Sequence, residues 1–133
     1  MSEQELFKLL SVAKEAALCA GEFLLNNYPS VRKITKESAH DLKIDADNHS
    51  EKIIIDLLSK NSNFSILSEE CGRIDRGVAG CTWIIDPVDG TTNYIQGVPI
   101  SCISIGLWQN NTPFALVFTH SQRPASDRDR GLQ

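Results

Sequence analysis

Trp83-Ile84-Ile85-Asp86-Pro87-Val88-Asp89-Gly90-Thr91-Thr92-Asn93 is the stretch on which the reading of this chain turns. It opens apolar, turns acidic at Asp86 and Asp89 and ends polar. Thr82 to Ile85 reads as a short buried strand that delivers Asp86 at its end. Pro87 fixes one backbone angle and removes a donor, which predicts a rigid turn in place of strand continuation. Gly90 lets the backbone approach a ligand closely, and Thr91 or Thr92 can cap a following helix. A similar unit lies upstream. Ser65-Ile-Leu-Ser68 reads as a second buried strand, followed at once by Glu69-Glu70. Between the two, Gly72 to Gly80 reads as a loop rich in glycine and charge.

The elements on either side are helices and a hairpin. Ser2 and Glu5 form a capping box, and Leu6, Leu9, Leu10, Ala13, Ala17, Ala20 and Leu24 recur at helical spacing. Asn26-Asn27-Tyr28-Pro29 ends that helix, and its small residues Ala16, Ala17, Ala20 and Gly21 permit close packing against a neighbour. Residues 30–44 are mixed and polar, extended or hairpin-like. A second helix begins among Asp45, Asp47 and Asn48, all competent N-caps, and ends near Lys60-Asn61. Its apolar face is Ile53, Ile54, Leu57 and Leu58. From Ser101 to Trp108 the residues alternate, with Ile103, Ile105 and Leu107 on one face and Cys102, Ser104 and Gly106 on the other. Gln109-Asn110-Asn111 turns the chain, and Pro113 to Phe118 returns as an antiparallel strand. Residues 119–133 have no periodicity and little to bury, so they are predicted to be disordered, and residues 1–118 to form one unit.

The bulk numbers exclude several classes. With 133 residues, 41% hydrophobic and 23% charged, the chain is long enough to bury a core and ordinary in composition. A net charge of -4 argues against a nucleic-acid footprint. Neither a signal peptide nor a run of roughly 18 apolar residues is seen, so no membrane partner is expected. The four cysteines are scattered without a C-x-x-C pair, which reads as free thiols in a cytoplasmic protein. If such an acidic chain binds phosphate, bound cations must supply the attraction.

That possibility is where the acidic turn carries chemistry. Two carboxylates three residues apart can converge on a hard cation, with the Val88 carbonyl as a third oxygen. Backbone N–H groups at the start of the following helix would face a phosphate. A carboxylate from Glu69 can bridge to the same cation or orient a water, as in two-metal hydrolysis of phosphoesters. Either feature alone is bland. D-x-x-D-G is common in turns, and a Glu-Glu pair is usually a solvated surface feature. Their combination behind two apolar strands, followed by Gly-Thr-Thr-Asn, favours the metal site.

Trp83 to Asn93 resembles the first signature of the inositol monophosphatase family, part of a lithium-sensitive, magnesium-dependent phosphatase superfamily. Ile66-Leu-Ser-Glu-Glu70 is similar to the family's strand ending in a paired Glu. Asp41-Leu-Lys-Ile-Asp-Ala-Asp47 resembles its D-L-V-T-x-x-D stretch, and Lys36 falls where the family has an active-site lysine. Val98-Pro99 and Ser104-Ile-Gly106 extend the likeness, which covers roughly residues 5–118. The resemblance implies roles. Glu69 and Asp86, with the Val88 carbonyl, would hold a first Mg2+, and Asp86 and Asp89 would share in a second. Gly90 and Thr91 would donate backbone bonds to the phosphate, with Asp89 and Lys36 also facing the substrate. Thr91 and Glu69 would position the attacking water, and Asp47 would accept a bond from the Thr91 hydroxyl. For Lys36, an exposed solvated lysine is the competing reading.

The implied fold is of α+β class: an inositol-monophosphatase-like layered α/β sandwich, truncated, with two N-terminal helices packed on a largely antiparallel sheet. The implied activity is hydrolysis of a small phosphate monoester such as inositol 1-phosphate. Fructose 1,6-bisphosphatase and 3′-phosphoadenosine nucleotide phosphatase are the alternatives. Thr92-Asn93 favours the inositol type, since the nucleotidase relatives more often carry D-G-T-K-E. The family's second signature, W-D-x-A-A-G, is absent: the two tryptophans are followed by Ile84 and Gln109. Its aspartate completes the second metal site, so little or no turnover is expected of this chain, which leaves one apolar sheet face uncovered. A non-catalytic fragment that pairs with a full-length subunit is the reading from another class, and a homodimer is left open.

Overall fold

The capping box read at Ser2 forms. The Glu5 N–H donates to Ser2 Oγ at 3.1 Å, and the Ser2 N–H donates to the Glu5 carboxylate at 3.2 Å. From that cap α1 runs over Glu3–Asn26. It stops at Asn27, whose backbone N–H and side-chain amide both donate to the Phe23 carbonyl. The computed structural model describes residues 2–27, 34–37, 42–77, 80–89, 102–110 and 112–120, with the backbone alone for 34–37, 42–44 and 114–120.

After α1 come β1 (Ile34–Glu37) and β2 (Leu42–Ile44), paired antiparallel as a small hairpin, and then α2 (Asp45–Asn61). Asp45 and Asp47 both lie in the first turn of α2, where they oppose the positive end of the helix dipole, and Lys60 lies in the last. The helix begins directly after β2. Asp47 therefore sits inside the first turn, and the N-capping role considered for it does not hold. The remaining strands are β3 (Ser65–Ser68), β4 (Gly72–Ile74), β5 (Cys81–Asp89), β6 (Cys102–Gln109) and β7 (Thr112–His120). They form one sheet in the order β4-β3-β5-β6-β7. β3 and β5 are parallel and every other neighbouring pair is antiparallel.

Both helices lie on one face of this sheet. Ala13, Ala16, Ala17 and Ala20 are at most 1% exposed, so the small-residue stripe does bring α1 close to α2. Ile66, Trp83, Ile85, Ile103, Ile105 and Leu107 point from the sheet into the same core as Leu24, Ile54 and Leu58. Trp83 is 1% exposed, and its indole N–H donates to Ser62 Oγ at 2.9 Å, so its one polar atom is satisfied on burial. The alternation read in β6 holds for Ile103, Ile105 and Leu107, which are buried, and for Cys102 and Ser104, which are half-buried, but Gly106 on the second face is buried too. Leu67, on the opposite face of β3, is exposed.

Three expectations change. Gly72 to Gly80 is not loop throughout, because Gly72–Ile74 pairs with β3 as β4; Gly72 takes φ +81°, a turn conformation that a side chain would strain. The strand after the Asn110 turn runs on to His120, and Gln109 pairs with Thr112, leaving a two-residue loop; the φ of +51° at Asn110 suits such a tight hairpin. The third change concerns Pro87 and is taken up below. Disorder was expected over residues 119–133; Thr119 and His120 instead pair with Ile103 and Cys102 in β7, and residues 121–133 lie outside the described residues.

Candidate functional site

Two strand pairings bring the acidic residues together. β3 and β5 run parallel with Ser68 opposite Ile85, and the Glu69 N–H donates to the Ile85 carbonyl at 3.2 Å. Glu69 therefore leaves its strand beside Asp86. The carboxyl ends of adjacent parallel strands are a common place for ligands, because the chain must diverge there.

The second pairing corrects the reading of Pro87. The strand does not end at Asp86: β5 continues through Pro87 and Val88 to Asp89. It does so by a bulge. Asp86 pairs with Ser104 and Asp89 with Cys102, so β5 advances by one residue more than β6. Pro87 and Val88 are both buried in succession, where a regular strand would alternate. Proline is tolerated at a bulge because the ladder bond it cannot donate is already missing there. The bulge also sets chemistry. In a regular strand, residues three apart face opposite sides of the sheet. Here Asp86 and Asp89 lie opposite Ser104 and Cys102, which share a face, so both carboxylates come to one side.

The electrostatics follow from that crowding. The Asp86 carboxyl is pushed up from 3.8 to about 7, first by burial, then by a hydrogen bond to Glu69 that only the protonated form can donate, then by the charges of Glu69 and Asp89. The Val88 backbone N–H bonds to the same carboxyl and opposes the rise. Asp86 Oδ1 is buried and has no hydrogen-bond partner among the described residues. Asp89 is exposed, and the Cys102 thiol donates to its Oδ2 at 3.7 Å. Burial and then the Asp89 charge raise the pKa of that thiol.

Among the described residues the site is short of positive charge. A buried carboxylate oxygen without a donor, on a carboxyl bonded to Glu69 and within the field of Asp89, suits a hard cation. Among the described residues, no group of three His, Cys, Asp or Glu side chains is arranged to hold a metal ion. Mg2+ does not require one, since it commonly keeps several waters and uses one or two carboxylates plus substrate phosphate oxygens. Glu69 and Asp86 match that donor set.

Not every expected site residue can be placed. Glu69 is hydrogen-bonded to Asp86, the Asp89 charge acts on Asp86, and Val88 follows in the bulge with its N–H bonded to the Asp86 carboxyl. Asp47 is 1% exposed in α2; the partner expected for it, Thr91, lies outside the described residues, as does Gly90. Lys36 is in β1, where the backbone alone is described. The sequence reading missed Ser50, Glu51, Ser68 and Cys102, which contact the elements carrying the carboxylates. Ser50 had one available signal, its position three residues after Asp47 on the same helix face.

With this geometry in hand, the relatives of the chain are informative. Residues 5–120 match the inositol monophosphatase family. An inositol-1-monophosphatase from Synechocystis is 36% identical over 114 residues, covering 84% of this chain and 40% of that protein. A fructose-1,6-bisphosphatase/inositol-1-monophosphatase from Aquifex aeolicus is 37% identical over 113 residues, covering 83% and 42%. The crystal structure of the extragenic suppressor protein suhB from Bartonella henselae superposes with a TM-score of 0.79 at 33% identity, covering 84% of this chain and 45% of that one. The chain belongs to the inositol monophosphatase family. It spans less than half the length of these relatives. Its two helices on a mixed, mostly antiparallel sheet are the corresponding part of that fold.

Proposed function

We propose that these residues supply the cation- and phosphate-binding half of a magnesium-dependent phosphomonoesterase site. The substrate is a small phosphate monoester of the inositol 1-phosphate type. The supporting observation is the Asp86 carboxyl, hydrogen-bonded to Glu69 and acted on by the Asp89 charge, with one buried oxygen that has no described partner. Mg2+, when bound, supplies positive charge to the phosphoryl oxygens and makes water a better nucleophile. The side chains do the rest. Glu69 and Asp86 would hold the cation with the Val88 carbonyl, and Asp89 would serve a second cation and the substrate. Glu69 and Thr91 would orient the attacking water, while Asp47 would accept a bond from the Thr91 hydroxyl. Gly90 and Thr91 would donate backbone N–H groups to the phosphate, and Lys36 would add positive charge.

The Aquifex relative, named for both reactions, keeps fructose 1,6-bisphosphate as a second substrate reading. Sensitivity to lithium accompanies the proposal. A cytoplasmic setting accords with four free cysteines, and no described helix is long and apolar enough to cross a membrane. Turnover by this stretch alone is expected to be low, because no W-D-x-A-A-G lies in it to complete a second cation position.

The test is thermal unfolding with and without millimolar Mg2+ or Mn2+. At 100 times the dissociation constant, binding stabilises by about 2.7 kcal/mol, an easily resolved rise in Tm. Asp86→Asn should abolish most of the rise. A melting curve indifferent to both cations would refute the proposal. Vigorous hydrolysis of inositol 1-phosphate, lost in Asp86→Asn, would refute the expectation of low turnover while upholding the site.

A further inference from the structure

The carboxylates of the site come from two separate backbone segments, the bulge of β5 and the turn after β3. Consecutive residues of α2 grip both. The Ser50 hydroxyl donates to the Pro87 carbonyl at 2.8 Å, across 37 positions of sequence. One Glu51 carboxylate oxygen accepts from the Ser68 hydroxyl at 2.5 Å and from the Cys71 backbone N–H at 2.9 Å. Ser68 and Cys71 bracket Glu69 and Glu70. We infer that Ser50 and Glu51 are positioning residues, which set the spacing between Glu69 and the Asp86–Asp89 bulge and so the fit of the cation.

The geometry at Pro87 makes the link direct. The Pro87 carbonyl and the Val88 N–H belong to one peptide unit, and that unit is planar. Ser50 holds its carbonyl end, while its N–H end bonds to the Asp86 carboxyl. Rotation of this plane therefore moves the donor that orients Asp86. A bulge leaves backbone groups without ladder partners, so without Ser50 the plane would lose a buried restraint. Ser50 is 0% exposed, which leaves no water to replace it. A helical serine ordinarily bonds back to its own helix, and here it reaches across to a strand instead. Glu51 restrains the opposing side: its two bonds hold the chain immediately before Glu69 and just beyond Glu70. Both grips come from one helix of 17 residues, a stiff element on which to hold a spacing.

This inference rests on the proposed cation site, and its test separates the two. Mg2+ and Mn2+ are titrated calorimetrically into the 133-residue chain, its Ser50→Ala, Ser50→Thr and Glu51→Gln variants, and a Ser65→Ala control. Ser65 is equally buried, but its hydroxyl serves Asp75 and Arg76, on the other strand end. Ser50→Ala should weaken cation binding roughly 10–100-fold, the range for residues supporting metal ligands, with Glu51→Gln intermediate. Ser50→Thr, which keeps the hydroxyl, should recover most of the affinity, and Ser65→Ala should bind as wild type. In the cation-free protein, the amide resonances of Val88 and Asp89 should shift in Ser50→Ala and stay in place in Ser65→Ala. Unchanged affinity in folded Ser50→Ala, or equal losses in Ser50→Ala and Ser65→Ala, would overturn the inference and leave the site standing. A wild-type chain that takes up neither cation would remove the proposed function. The amide resonances would then decide on their own whether Ser50 controls the bulge, and unmoved resonances would overturn the inference as well.

Discussion

Replacing Asp86 by Asn should make the cation-free protein more stable, although it removes the central side chain of the site. In the unfolded chain this carboxyl titrates at its ordinary 3.8, whereas in the folded chain it titrates at about 7. Between those values the native state holds a proton that the unfolded state has released, so stability falls as pH rises through the interval. The favourable contribution is complete below about pH 4 and gone above about pH 7. The interval corresponds to a ceiling of about 4 kcal/mol. Asp86 is only half-buried, and solvent screening reduces that ceiling to roughly 2 kcal/mol. Asn matches the shape of Asp, can still accept from the Val88 N–H and carries no charge to repel Glu69 and Asp89. In buffer with chelator, Asp86→Asn should therefore unfold about 2 kcal/mol later than wild type at pH 8, or roughly 6–10 °C higher in Tm. At pH 4 the two should nearly coincide. Urea titrations followed by circular dichroism at both pH values measure this, and saturating Mg2+ at pH 8 should reverse the order. A variant no more stable than wild type at pH 8, or a gap of equal size at pH 4, would refute the account of why Asp86 is held near neutrality.

Two structural predictions accompany it. Trp83→Phe removes part of a fully buried ring and the indole donor to Ser62, and should cost about 2–3 kcal/mol in denaturant unfolding with the slope unchanged. Ser2→Ala breaks the reciprocal cap of α1 and should cost about 1 kcal/mol, visible as faster amide exchange in the first turn with no loss of cation binding.

The residues that carried the sequence reading were those whose signal is local. A capping box occupies four consecutive residues, and its partners are fixed by helix geometry, so Ser2 and Glu5 were legible. The small-residue stripe of α1 and the alternation of Ile103, Ile105 and Leu107 were legible because a helix face and a strand face each impose a period. Glu69 was legible as a strand-end carboxylate and Asp86 by the apolar run before it, although its strand continues to Asp89, and the resemblance of Trp83 to Asn93 and its flanks led to the right family.

What the sequence could not determine was how these local pieces register against one another. Pro87 looked like the end of a strand, because proline forfeits a ladder bond. Only the pairing with β6 shows that the bond falls in a bulge, where nothing is forfeited. The consequence decides the site: the bulge turns Asp86 and Asp89 to one face, and the parallel pairing of β3 with β5 sets Glu69 beside them. The Glu69 bond to Asp86 and the grip of Ser50 and Glu51 depend on contacts 17 or more residues apart in the chain. Local pattern specified which elements form and which residues carry charge. Tertiary packing alone decided where those charges meet, because electrostatic and hydrogen-bonding energies depend on distance in space, which spacing along the chain does not reveal.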